Sequence, residues 1–275
     1  MSHYKNKVAV ITGAASGIGH ALATKLAQQG CHLALVDRNL EGLNLVKLEA
    51  EKLGVRCLIQ NVDVSNSEYF QSFATSVVTE FGTVDLLFNN AGVSLIDSVA
   101  NQSLEDFHWL MNINFWGVVH GVNAFLPILR ESPNAHIVNV SSLFGLLALP
   151  LQSAYNASKF AVRGFTESLK MEMAGTNVSV HCVHPGGIKT NITNNAKVST
   201  ANVEKSKIIA AFNKQAKTTS EQAADVILQG IEKNKRRILI GSDAKLLDRI
   251  VRWFPNTYEK ILGFEKEVIN NRRTK

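Results

Sequence analysis

The segment KVAVITGAASGIG, Lys7 to Gly19, decides the fold. Its first half, Lys7–Thr12, is a β-branched and aliphatic run of strand length with no alternation of polar residues, the pattern of a strand covered on both faces. Its second half places Gly13, Gly17 and Gly19 where a helical periodicity begins. Glycines at a strand-to-helix turn let the backbone bend tightly and come close to a ligand, and the helix N-terminus adds N–H donors and positive dipole for a pyrophosphate.

Outward from this unit the same alternation continues. Strand-like runs fall at Lys7–Thr12, His32–Asp37, Val55–Val62, Asp85–Asn89, Ala135–Val140, Val178–His184 and Arg237–Ile240. Helix-length segments lie between them, among them Gly17–Gln29, Leu40–Lys52, Ser67–Phe81 and Glu105–Phe125. Strand–helix repetition of this kind predicts right-handed βαβ units and an α/β fold, a doubly wound parallel sheet of about seven strands with helices on both faces. The chain has 275 residues, 45% of them hydrophobic and 19% charged, with no linker or repeat, so a single folded domain is expected over residues 1–242. Asn194–Thr219 is polar and weakly periodic and reads as a helical lid or loop over a site.

The formal net charge is +6, but Lys233–Lys275 holds 12 basic and 5 acidic residues and the remainder is close to neutral. Basicity confined to a tail argues against a nucleic-acid-binding domain. No apolar run is long enough to span a bilayer, and the N-terminus enters a strand without a signal-peptide pattern. Three scattered cysteines, Cys31, Cys57 and Cys182, read as buried thiols in a reducing, cytoplasmic compartment. His181 and His184 lack a cysteine or carboxylate to complete a ligand set, so no metal is expected.

Several residues carry chemistry. Asp37 ends the second strand, where an acidic side chain meets the ribose hydroxyls of an adenosine and repels a 2′-phosphate. Arg38 pulls the other way, since a guanidinium pairs with a 2′-phosphate. The balance favours NAD(H), with NADP(H) as the alternative. Asn89-Asn90-Ala91-Gly92 follows the fourth strand, where amides satisfy strand-end groups and small residues leave room for a ligand. Tyr155 and Lys159, four apart, share one helix face. An ammonium beside a phenol is expected to lower its pKa from about 10, making it a proton donor or acceptor near neutral pH.

The ordered set of glycine loop, Asp37, NNAG, Ser142, Tyr155, Lys159 and Pro185-Gly186 closely resembles the short-chain dehydrogenase/reductase family in its compact single-domain branch, from about Lys5 to Ile240. The resemblance implies a Rossmann fold, a nicotinamide cofactor and a homotetramer or homodimer. It implies that Gly13, Ser16, Gly17, Ile18 and Gly19 form the cofactor loop, that Asp63 and Val64 lie beside the adenine, and that Asn90, Ala91 and Gly92 support the cofactor. Asn114, in NINFWG, falls on the asparagine that supports a water in a proton relay. Ser142 falls on the serine that orients the substrate oxygen, and Tyr155 on the acid/base. Lys159 falls on the lysine that holds the nicotinamide ribose and tunes the tyrosine. Pro185, Gly186, Ile188 and Thr190, in HPGGIKT, match the segment around the carboxamide.

The function expected is oxidoreduction between a secondary alcohol and a ketone. The alternative is a dinucleotide-binding scaffold without turnover, which would have no chemical need for Tyr155 and Lys159 together. The apolar run Leu143–Leu151 and the pair Leu95-Ile96 predict an apolar substrate pocket, with Leu95, Ser142, Phe144, Leu149, Gln152 and Gly187 as its candidate walls. The competing reading has these leucines filling core or a subunit interface. Residues 243–275 form a basic, amphipathic helical extension, expected to pack on the body or on another subunit. Contact with an anionic membrane surface is the less favoured reading.

Overall fold

The computed structural model describes residues 3–198, 206, 209, 210, 212, 214 and 216–263. The chain alternates β1 (Val8–Thr12), α1 (Gly17–Gln28), β2 (His32–Asp37), α2 (Leu40–Lys52), β3 (Cys57–Asn61), α3 (Ser67–Phe81) and β4 (Leu86–Asn89). It continues with α4 (Leu104–Met111), a π-helical turn (Asn112–Trp116), α5 (Gly117–Leu129), β5 (Ala135–Val140), a 3₁₀ turn (Leu143–Gly145), α6 (Ser153–Glu172) and β6 (Val178–Pro185). The described part closes with α7 (Ser220–Glu232), β7 (Arg237–Ile240), α8 (Ser242–Trp253) and α9 (Tyr258–Ile261). Of the expected 194–219 lid, residues 199–205, 207, 208, 211, 213 and 215 lie outside the described residues.

The strands form one parallel sheet in the order β3-β2-β1-β4-β5-β6-β7. The apolar strand runs are explained by two cores, because alternate residues of one strand enter opposite faces. Ala9, Ile11, Leu33, Leu35, Leu86 and Phe88 pack with α1, α2 and α7. Their neighbours Val8, Val10, Ala34, Val36 and Leu87 pack on the other face with Phe70 and Phe73 of α3 and Phe125 of α5. Strand order reverses between β1 and β4, which opens a crevice at their C-terminal ends, where ligands of open α/β sheets bind.

The helix expected over Glu105–Phe125 is continuous but slips into π geometry around Asn114, a local widening common at functional sites. Of the expected 243–275 extension only residues 243–263 are described, and α8 packs on the body. Ala244 of α8 is fully buried, and Leu247 and Val251 lie against Leu143, Leu146 and Leu147 of the loop after Ser142. The outer face of α8 leaves Leu246 and Trp253 exposed, Trp253 at 77%. Among the described residues, no helix is long and apolar enough to cross a membrane.

Three buried histidines serve the sheet. His181 Nδ1 donates to Lys235 O at 2.8 Å, so its Nε2 accepts from His136 Nδ1 at 3.1 Å. His184 Nδ1 donates to Ser142 O at 3.0 Å. Nε2 of both His136 and His184 is buried without a partner, so a second proton would have no acceptor. Burial lowers His136 to about 3 and His184 to about 4. Unfolded histidines bind protons below about pH 6.5 while these two stay neutral, so stability is full above that pH and lost as pH falls towards 4. Urea unfolding between pH 7.5 and 5 should show a loss of up to about 1.4 kcal/mol per pH unit for each histidine below pH 6.5. His136→Gln should flatten that slope, and a pH-independent midpoint would contradict it.

Candidate active site

The crevice is built first from β1. The Thr12 hydroxyl accepts the backbone N–H groups of Asn90 and Ala91, each at 2.9 Å. Asn90 Nδ2 returns two hydrogen bonds, to Thr12 O at 2.9 Å and Gly13 O at 3.2 Å. The two loops are thus stitched edge to edge. Gly13 has φ +66°, and a Cβ there would lie 2.8 Å from Ala91 Cα; one on Gly19 would lie 2.1 Å from Gly13 O. Only glycine permits this approach. Ser16 caps α1 without a side-chain hydrogen bond, which leaves first-turn N–H groups directed at the crevice for an anion. Ile18 packs into the core beneath the loop, and Thr190 lies beside Gly17.

At the β2 end, the Asp37 carboxylate accepts from Ala15 N at 3.1 Å and Asn39 N at 2.9 Å, so it lies against the glycine loop. Arg38 turns instead to Asp63, 3.8 Å away, and Asp63 also takes the Ser65 N–H and hydroxyl. Val64 is buried beside Gly117, and its carbonyl accepts from His120.

The central cluster is buried. Asn114 Oδ1 accepts from Val93 N at 2.8 Å, and its Nδ2 donates to Val93 O and to Ser158 Oγ. Ser158 Oγ donates to Tyr155 O at 2.8 Å. This chain ties the NNAG loop to the π turn and to α6.

Lys159 is 3% exposed. Its Nζ donates to Val140 O at 3.0 Å and lies 5.7 Å from the Tyr155 ring centroid. Burial lowers it to about 8, which leaves it charged at neutral pH. Tyr155 corrects the sequence expectation. Burial pushes its phenol up, and the opposing influence is a hydrogen bond with Ser142, not the lysine four residues on. A methyl on Gly92 would meet Asn114 Oδ1 at 3.3 Å and Lys159 Nζ at 3.5 Å, so the NNAG loop, the π turn and α6 converge on one point.

The apolar loop divides. Leu143, Leu146 and Leu147 fill a cluster with Ala244, and Leu149 packs at its edge, so these leucines serve as core. Phe144 turns to Tyr155, edge to face with centroids 6.2 Å apart. Leu95, Leu110 and Ala154 complete the apolar surround of the phenol, with Phe107, Trp109 and Ile192 against them. Gln152 bridges Asp97 through the backbone at the mouth. Pro185 ends β6 and Gly186, Gly187 and Ile188 follow it, with Gly187 N bonded to Asp243 and Ile188 paired with Thr218. Sequence reasoning missed Thr12, Ser158, Ile192 and Asp243. Thr12 was the most accessible of these, as a hydroxyl at a strand end beside the first glycine. Among the described residues no group of three or more His, Cys, Asp or Glu side chains could hold a metal ion.

Residues 7–201 match the family model described as short chain dehydrogenase. The chain belongs to the short-chain dehydrogenase/reductase family. It is therefore an oxidoreductase of that family with a Rossmann fold. SadH of Mycobacterium tuberculosis, a chain provisionally named as an oxidoreductase, is 44% identical over 96% of both proteins. A short-chain dehydrogenase/reductase from Burkholderia phymatum, solved in complex with NAD, superposes with a TM-score of 0.84 at 31% identity, covering 94% of this chain and 97% of its own. An alcohol dehydrogenase from Thermococcus sibiricus, complexed with 5-hydroxy-NADP, gives 0.73 at 25% identity, covering 85% of this chain and 95% of its own. These likenesses support a nicotinamide dinucleotide as the cofactor of this chain, and the glycine cradle at Gly13 and Gly19 fits one.

Replacing Thr12 by Val keeps the shape and removes the hydroxyl that two inward N–H groups share. Urea unfolding should register a loss of about 2–4 kcal/mol, the cost of orphaning two such donors.

Proposed function

We propose that this protein interconverts an apolar secondary alcohol and its ketone with NAD(H), using Tyr155 as the proton-transferring group. The observation that carries this reading is the buried Tyr155–Ser142 pair backed by the Lys159 ammonium, within an apolar surround. Gly13, Ser16, Gly17, Ile18 and Gly19 would cradle the pyrophosphate, with Asn90, Ala91, Gly92, Asp63 and Val64 along the cofactor and Pro185, Gly186, Ile188 and Thr190 at its nicotinamide end. When bound, the dinucleotide supplies the hydride acceptor or donor.

The chain's own residues handle the proton and the orientation. Tyr155, held as a phenol by burial, is poised to give its proton to a carbonyl oxygen. Ser142 is placed to donate to that same oxygen and fix its distance. In the oxidative direction the phenol must lose its proton first, and the Ser142 hydrogen bond offsets part of the cost of a buried phenolate. Asn114 would support the water that refills the proton.

Asp37 supports NAD over NADP, because its carboxylate lies against the glycine loop where a 2′-phosphate would bring a second negative charge. Arg38, paired with Asp63 and exposed, gives a 2′-phosphate little compensation. Phe144, Leu95 and Ile192 around Tyr155 support an apolar substrate, in a protein acting as a homo-oligomer.

Tyr155→Phe keeps the ring and removes the proton. Steady-state assays should show turnover reduced by about 10²–10⁴-fold, with the NADH dissociation constant, read by nicotinamide fluorescence, unchanged within about twofold. Turnover at the wild-type rate would refute the assignment. Across a ketone panel, efficiency should rise with apolar area, and a preference for small polar sugars would refute the pocket reading.

A further inference from the structure

Asp243 lies beyond the residues matched by the family model, at the start of α8. Its carboxylate reaches back across the sheet edge, where Oδ2 accepts the Gly187 N–H at 2.7 Å, 56 residues away in sequence. Two glycines make the seat. A Cβ on Gly186 would lie 2.2 Å from Asp243 Oδ2, and one on Gly241 would lie 2.2 Å from Oδ1. Gly241 also has φ +96°, which turns the chain from β7 into α8 so that the carboxylate points inward. Gly186 N donates to Ile240 O at 2.9 Å, and Lys189 N donates to Thr218 O at 2.9 Å, so the turn after β6 is held on both sides of the Asp243 contact. An acidic side chain in the first turn of a helix is favoured by the helix dipole, and a charge-assisted bond to a backbone N–H is short and directional.

The same helix, through Ala244, Leu247 and Val251, packs on Leu143, Leu146 and Leu147 of the loop that begins at Ser142. One rigid element therefore touches two loops, the one carrying Ser142 and the one expected to receive the nicotinamide end of the cofactor.

We propose that Asp243 is a positioning residue, whose carboxylate holds the Pro185–Gly187 turn in the conformation that receives the nicotinamide end of the dinucleotide. This rests on the cofactor reading given above. It makes the C-terminal helix part of the cofactor site, although Asp243 itself touches neither substrate nor reacting atoms.

The test uses the full-length protein and three variants. Asp243→Ala removes the acceptor, Asp243→Asn keeps one carbonyl oxygen to receive the Gly187 N–H, and Gly241→Ala displaces the carboxylate by steric conflict. NADH binding is followed by nicotinamide fluorescence, and hydrogen exchange over residues 185–190 is measured on the protein without cofactor. Asp243→Ala and Gly241→Ala should weaken NADH binding about tenfold, raise the Michaelis constant for the cofactor more than they lower kcat, and speed exchange across that turn. Asp243→Asn should recover most of the binding. If wild type binds NADH and Asp243→Ala binds equally well with unchanged exchange, the positioning role is overturned and the cofactor reading survives. If wild type itself binds no dinucleotide, the cofactor reading falls and takes the positioning role with it. Should Asp243→Ala fail to fold, Asp243→Asn and Gly241→Ala decide, since a purely structural role predicts lowered melting for Gly241→Ala with unchanged NADH affinity.

Discussion

An ammonium group almost fully removed from water is the constraint around which this candidate site is organised. Lys159 has the Val140 carbonyl as its hydrogen-bond acceptor and the Tyr155 ring nearby. Burying a charge with so little compensation is destabilising, and it is tolerated only where the surroundings over-determine the geometry. Here they do. Ser141 Oγ donates to Lys159 O at 2.8 Å, and the Val93–Asn114–Ser158 chain fixes the preceding turn of α6. The lysine can be held in place because both ends of that helical segment are hydrogen-bonded to other elements. The cost remains visible as the lowering of its pKa to about 8.

From that constraint the division of labour follows. The sheet supplies rigidity and a crevice between β1 and β4. The Thr12 hydroxyl joins the two loops that flank it, and the glycines let the backbone close in. α6 brings Tyr155 and Lys159 to the same edge from the other side. α8 braces the loop after Ser142 and the turn after β6 together. No single element carries the site; each contributes one or two groups at the C-terminal end of the sheet, as open α/β folds generally do.

Much of this was legible in the sequence, for identifiable reasons. The near-continuous aliphatic strands could only be covered on both faces, and Leu33 and Ala34 indeed enter opposite cores. The glycine loop, NNAG and the Tyr155–Lys159 spacing were readable because each is local. What escaped was non-local. The slip into π geometry at Asn114 leaves no mark on an amphipathic pattern that continues through it. The run Leu143–Leu151 left pocket and core as competing readings, because the partners that settle Leu143, Leu146 and Leu147 as core lie a hundred residues downstream in α8. The proton affinity of Tyr155 could not be read from an i, i+4 lysine, since burial outweighs that charge and burial is a property of the whole fold. Asp243 gave no signal, because its meaning resides in Gly186, Gly187 and Gly241 jointly.

The central claim is that the edge formed by the glycine loop and Asp37 is a dinucleotide site that reads the adenosine ribose through a carboxylate. The most direct measurement is a paired titration of the purified protein with NADH and NADPH in one buffer, followed by nicotinamide fluorescence. Saturable binding of both, with NADH tighter by about tenfold, is the predicted result, the equivalent of about 1.4 kcal/mol of discrimination. Tighter binding of NADPH would mean that Arg38 outweighs Asp37, and binding of neither would contradict the account at its root.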